Sequence, residues 1–174
     1  MIFRLIIFFF VGLFHLSVLA QSWKIGTDYK VSFSSNDVSG IFKDLEGTVV
    51  FDSESLSSAK FDFRIRVESI STGNAMMNSH ARGVEWFDEA RFPYISFVSS
   101  RVEQSATGYV VHGKIEMKGI KKDVAIPITF LKKGTKANII AKFSVDRTNY
   151  GIGKKGNDVS ETLKILATIP ISKK

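Results

Sequence analysis

Outside its first twenty residues the chain carries two histidines, His80 and His112, and it has no cysteine at all. Either imidazole could serve as a general base or a metal ligand. Neither sits in a pattern that such work requires. There is no Gly-x-Ser-x-Gly nucleophile turn and no His/Cys set at metal-ligand spacing. "GIGKKG", Gly151 to Gly156, superficially looks like a phosphate-cradling loop. It lacks a Ser or Thr after the lysine and a strand-to-helix setting, so it reads as a mobile basic loop. No catalytic residue, metal or cofactor is expected. The polar side chains that do gather lie in two places. Asn74, Asn78 and His80 fall within "SISTGNAMMNSHARGVEWFDEARFP", Ser69 to Pro93, and Arg147 and Asn149 fall within "VDRTNYGIG". Amides, an imidazole and a guanidinium suit recognition of a polar headgroup. The plainer alternative is that Asn74 and Arg147 satisfy carbonyls in their own turns.

The elements that must hold these residues are strands. In "KFDFRIRVE" the apolar set Phe61, Phe63, Ile65, Val67 alternates with Asp62, Arg64, Arg66, Glu68, one dry face and one wet. "YVVHGKIEM" repeats the pattern with Tyr109, Val111, Gly113, Ile115 and Met117 on one side. "VAIPITF", "ANIIAKFSVD", "LKILATIPI" and "YISFVSSRV" follow suit, and "WKIG", "KVSF" and a pair meeting around Gly47 precede them. About eight half-wet strands joined by short polar turns favour antiparallel neighbours. They point to an all-β fold, an up-and-down barrel or a sandwich. Pro127 and Pro170 lack a donor and fit a bulge, an edge or a rim. The Ser69–Pro93 stretch breaks the alternation. Thr72 or Asn74 can cap a short helix over about 74–80, Gly83 ends it, and "VEWFDEARFP" reads as a further helical turn. Its length suits a cap over one barrel end, with Trp86 and Phe87 pinning it there.

The chain has 174 residues and a formal charge of +7. Arg4 and the run "LIIFFFVGLFHLSVLA" have the form of a signal peptide cleaved after Ala20, leaving one domain over 21–174. That run is short for a membrane span, and His15 interrupts it. The protein is therefore expected in the periplasm or secreted. Its lysines are scattered or sit at turns, a solvated basic surface or one that touches anionic membrane transiently. No aromatic-basic platform suggests nucleic acid.

Five fragments in order resemble the YceI-like family of exported, lipocalin-like barrels often described as polyisoprenoid-binding. They are "VSGIFKDLEGTVVFD", "SISTGN" with His80, "FDEARFPYISF", "HGKIEMKGIKKDV" and "VDRTNYGIG". The chain departs from the family pattern at Tyr29-Lys30, where many members carry His-Ser, at Met77-Asn78 in place of Arg-Asp, and at Ala81 in place of Leu. The resemblance implies a closed barrel of about eight strands with a short helical cap. It also implies an apolar cavity for an isoprenoid, quinone-like or fatty-acyl chain. Phe33, Phe42, Phe61, Phe63, Ile65, Phe97, Val111, Ile115 and Phe143 would line that cavity. Asn74, Asn78, His80, Arg147 and Asn149 would ring its mouth. The family often pairs barrels into homodimers. Two other readings stay open at this point: a filled barrel acting through its basic surface, and an enzyme acting on a lipid headgroup around His80.

Overall fold

The computed structural model describes residues 21–174, and the expected signal segment lies outside them. Among these residues eleven strands, one α-helix and three short 3-10 turns follow one another. The strands are β1 (Ser22–Ile25), β2 (Lys30–Ser34), β3 (Ser39–Phe42), β4 (Leu45–Val50), β5 (Lys60–Arg66), β6 (Ile70–Ser71), β7 (Tyr94–Ser105), β8 (Gly108–Met117), β9 (Ile120–Lys133), β10 (Lys136–Asp146) and β11 (Thr162–Lys173). The helix α1 (Ala75–Arg82) lies between β6 and β7. Every ladder is antiparallel, and β1 pairs with both β4 and β11. The sheet therefore closes on itself as an eight-stave barrel.

Eight staves hold eleven strands because the first three staves are each interrupted once. β1 and β2 run along β11 on either side of Pro170, whose carbonyl accepts from Gly26 N at 2.8 Å. Pro170 thus stands where the neighbouring strand leaves the ladder. Pro127 is placed by the same rule, since the β9–β10 ladder ends at Ile128↔Ala141, one residue away. The interruption between β3 and β4 falls at Lys43–Asp44 rather than at Gly47, which lies within β4. Tyr29 bridges the gap. Its hydroxyl donates to the Lys43 carbonyl at 2.8 Å and accepts from Leu45 N at 2.9 Å. Gly47 is needed for space, because a Cβ there would strike the Asp62 carbonyl and come within 2.9 Å of the Phe63 ring. Phe63, its register partner, fills the room that the glycine leaves.

The alternating faces read from the sequence are those observed. Val111, Gly113, Ile115 and Met117 of β8 point into the barrel and are buried, and Phe61 is buried on β5. A bulge between Ser99 and Arg101 of β7 lies opposite Gly113 and His112 and sharpens the bend of the sheet.

One end of the barrel is plugged. Trp23, Phe51, Tyr109 and Phe130 meet there edge to face or tilted, with Phe51–Phe130 centroids 4.4 Å apart and Phe51–Tyr109 4.9 Å. Trp23 Nε1 donates to the Phe51 carbonyl at 2.9 Å, so the indole is buried with its one polar atom satisfied. At the other end β6 pairs only with β3, while β5 pairs with β7. The stretch 72–93 and the loop 147–161 cover that end.

Candidate functional site

A cavity of about 390 Å³ lies between the plug and the covered end. Its walls come from almost every stave. Phe33 and Phe42 enter from β2 and β3, Phe61, Phe63 and Ile65 from β5, and Phe97 from β7. Val111 and Ile115 of β8 and Phe143 of β10 complete the nine residues expected to line it. Small side chains opposite them, Ala141 and Ala167, leave the space open. The volume falls within the range of small-molecule sites, roughly 300–1,000 Å³. Thr72, Ser96, His80 and Arg147 are the hydroxyl-, imidazole- and guanidinium-bearing residues among those that line it.

The five expected mouth residues do not act alike. His80 lines the mouth, its ring 5.8 Å from that of Trp86. Asn78 turns its Oδ1 to Thr72, accepting from the backbone N at 2.8 Å and from Oγ1 at 2.9 Å. Asn74 and Asn149 are exposed and do not line the cavity. Asn74 caps α1 instead, with Oδ1 accepting from Met77 N at 3.0 Å, so the helix runs two residues beyond the expected His80, to Arg82. That corrects the mouth placement of both residues, and Asn78 does not line the cavity either: Asn74 is spent on a cap, Asn149 sits on the solvent side of its turn, and Asn78 is held by Thr72.

Arg147 touches the cavity but is only 2% exposed, and its donors point into the 147–161 loop. Nε donates to Ser160 O at 3.1 Å, and Nη1 to Ile152 O at 2.7 Å. Nη2 donates to Asn157 Oδ1 and Val159 O, each at 2.5 Å, and both terminal nitrogens reach Lys154 O. The plainer alternative raised for Arg147, that it satisfies carbonyls in its own loop, is what the geometry shows. Two carboxylates fasten the same loop. Asp37 accepts from Ser160 N at 2.9 Å and from its Oγ, which holds the Asp37 carboxyl below the usual carboxylate value. Asp146 accepts from Thr148 Oγ1 at 2.7 Å and N at 2.8 Å and is lowered for the same reason, hydrogen bonds to the charged form. Burial pushes the Tyr150 phenol up.

The cap contributes more to the wall than expected. Trp86 and Phe87 pin the 72–93 stretch, Phe87 against Phe42 at 6.1 Å and Trp86 under the Arg147 guanidinium at 5.0 Å. Both also line the cavity, as do Met76, Met77 and Ala81 of α1. The methionines were missed because α1 is short and its apolar positions form no sustained periodic face. "VEWFDEARFP" is not helical but a run of turns, with Asp88 in the left-handed region at φ 51°. Among the described residues no group of three His, Asp or Glu stands together as a metal site.

This architecture has known counterparts. The structure of BcnA from Burkholderia cenocepacia superposes with a TM-score of 0.80 at 26% identity, covering 84% of this chain and 99% of that one. A polyisoprenoid binding domain from Saccharophagus degradans shares the fold with a TM-score of 0.66 at 13% identity, over 90% of this chain and 99% of the other. Protein YceI of Salmonella newport is 27% identical over 121 residues, 70% of this chain and 56% of that protein. The chain thus spans little more than half the length of the curated relatives it matches. The YceI-like domain pattern itself matches residues 20–171, all the strands but for the last two residues of β11, and the chain belongs to the YceI-like domain family.

Proposed function

We propose that the barrel is a non-catalytic carrier or sequestering protein that holds an isoprenoid or similar lipid-like chain in its cavity. The observation that carries this reading is an apolar void of about 390 Å³, plugged by aromatics at one end and bordered by polar groups at the other. An apolar void in a core costs on the order of 24 cal/mol per Å³. An empty barrel of this kind therefore forgoes several kcal/mol of packing that a bound chain restores. Each methylene taken from water adds about 0.8 kcal/mol, so a long tail needs few polar contacts. The headgroup would rest at the mouth beside His80. Arg147 keeps the mouth in shape. The Saccharophagus domain of the same fold is a polyisoprenoid binding domain, which favours a prenyl chain over other tails. Action outside the cytoplasm, with transient contact to anionic membrane through basic loops, completes the proposal.

The test is native mass spectrometry of protein purified from a bacterial host without harsh detergent, followed by organic extraction. A discrete added mass of prenyl or acyl type is expected. A clean apo mass that stays unchanged after incubation with membrane lipids would overturn the reading.

A further inference from the structure

We propose that Met76, Met77 and His80 form a binding site for a soft monovalent cation, Cu(I) or Ag(I), at the rim of the cavity. All three side chains line the mouth. They stand on one helix, α1. Each helical residue turns about 100° from the last. His80 therefore lies one turn beyond the two methionines and between them in angle. Met76–His80 and Met77–His80 are i,i+4 and i,i+3 neighbours, the pairs whose side chains meet on a helix surface, about 5–6 Å apart at Cβ. Methionine has three rotatable bonds, which let both sulfurs turn toward a common point. The result is a three-donor set of two thioethers and one imidazole.

The donor chemistry selects the ion. Neutral thioether and imidazole ligands suit Cu(I) and its congener, whereas hard divalent cations require oxygen ligands. None of the three donors is an oxygen ligand of the kind that holds Ca²⁺ or Mg²⁺. The His80 ring has no hydrogen-bonding partner among the described residues and faces the Trp86 ring at 5.8 Å. The exposure of the methionines supports the same assignment. Met76 is 82% exposed and Met77 42%, although the capping aromatics next to them are packed. Among the described residues competing soft donors are few. The chain has no cysteine, Met117 is buried in the barrel, and His112 is engaged by Glu103 at 3.0 Å on the outer wall. The spacing rules applied to His and Cys pass over this set because its sulfur comes from methionine.

The experiment is anaerobic titration of the untagged chain with Cu(I) against a chromophoric Cu(I) chelator, repeated with Ag(I) by native mass spectrometry. One equivalent is expected to bind, with Trp86 emission quenched, a signal that disappears in Trp86→Phe. Met76→Leu, Met77→Leu and His80→Ala should each weaken binding about tenfold or more, since even outer-shell partners of metal ligands are worth 10–100-fold. All three positions are solvent-exposed, so these variants keep the fold. His112→Ala should leave affinity unchanged. Affinity that survives the Met76→Leu/Met77→Leu/His80→Ala triple variant would overturn the site, as would Zn(II) displacing Cu(I) at equal concentration.

Discussion

The guanidinium of Arg147 lies 5.0 Å above the indole of Trp86, and this contact joins the two flaps that cover the open end of the barrel. Gly153 N reinforces the junction by donating to Glu85 O at 2.9 Å. Gly153 has φ +64°, and a Cβ on it would stand 2.6 Å from Arg147 Nη1 and 3.3 Å from the Trp86 ring. One buried arginine therefore folds its own loop around its five donors and presents a flat face to the opposite flap.

Replacing Arg147 should unfasten both flaps. Arg147→Ala leaves Ile152, Lys154, Val159 and Ser160 carbonyls without their donor, and hydrogen bonds from a charged group are worth about 1.5–3 kcal/mol each, though not additively. A loss of about 3–4 kcal/mol in urea unfolding is expected, with faster hydrogen exchange over 147–161. Arg147→Lys should recover only a fraction, because one ammonium cannot serve carbonyls spread around a planar fork. Full stability in the lysine variant would show that charge rather than geometry matters here.

Acid should loosen the same loop before it unfolds the barrel. Asp37 and Asp146 both have carboxyls held below their usual value by hydrogen bonds, Asp37 from Ser160 and Asp146 from Thr148. A depressed folded-state pKa means that the stabilisation is complete above the ordinary carboxylate value. It is lost as pH falls through that value and below it. Amide exchange and chemical shifts of 147–161 should therefore change below about pH 4, a model-peptide carboxylate range, while those of the plug stay constant. Asp37→Asn should remove part of that pH dependence. A loop whose signals titrate identically in the variant would place the acid response elsewhere.

Much of this was legible from residue order, and what was not has a physical reason. Phe61, Phe63 and Ile65 declare the inner wall because a half-wet strand must alternate. Phe33 and Phe42 obey the same rule in the short strands β2 and β3, and Phe97 and Phe143 obey it in the longer β7 and β10. Arg147 stayed open between headgroup and loop, since all but one of its partners are backbone carbonyls, which carry no sequence signature. The break at Lys43–Asp44 was hidden for a similar reason. A glycine three residues on looks like the better place to stop, yet it serves the Phe63 ring. The plug was also silent. Phe51 lies just past the end of β4, where alternation no longer reports direction.

The plug makes a stability prediction of its own. Phe51 is 1% exposed and touches Phe61, Tyr109 and Phe130. Phe51→Ala should cost about 3–5 kcal/mol, the usual range for a buried aromatic truncated to Ala. It should also extend the cavity toward the closed end, so that a fluorescent apolar probe enters more readily than in the parent chain. Tight exclusion of the probe with stability unchanged would mean that neighbouring rings close the gap.

Filling the cavity separates a lipid carrier from a packed barrel. Ala141 is buried, faces the cavity from β10 and pairs with Ala167 across to β11. The space in front of it is open, so Ala141→Trp can project into the void with little of the overpacking penalty of about 1–3 kcal/mol seen in filled cores. The expected result is a fold of equal or higher stability whose co-purifying lipid, read by native mass spectrometry, is sharply reduced. Phe61→Asp provides the opposite test of the same wall, since an unpaired carboxylate there penalises an apolar tail through its hydration. If lipid occupancy survives both substitutions, the bound chain does not lie in this cavity. If Ala141→Trp is instead strongly destabilised, the void is filled in solution by rearranged side chains and the barrel acts through its surface.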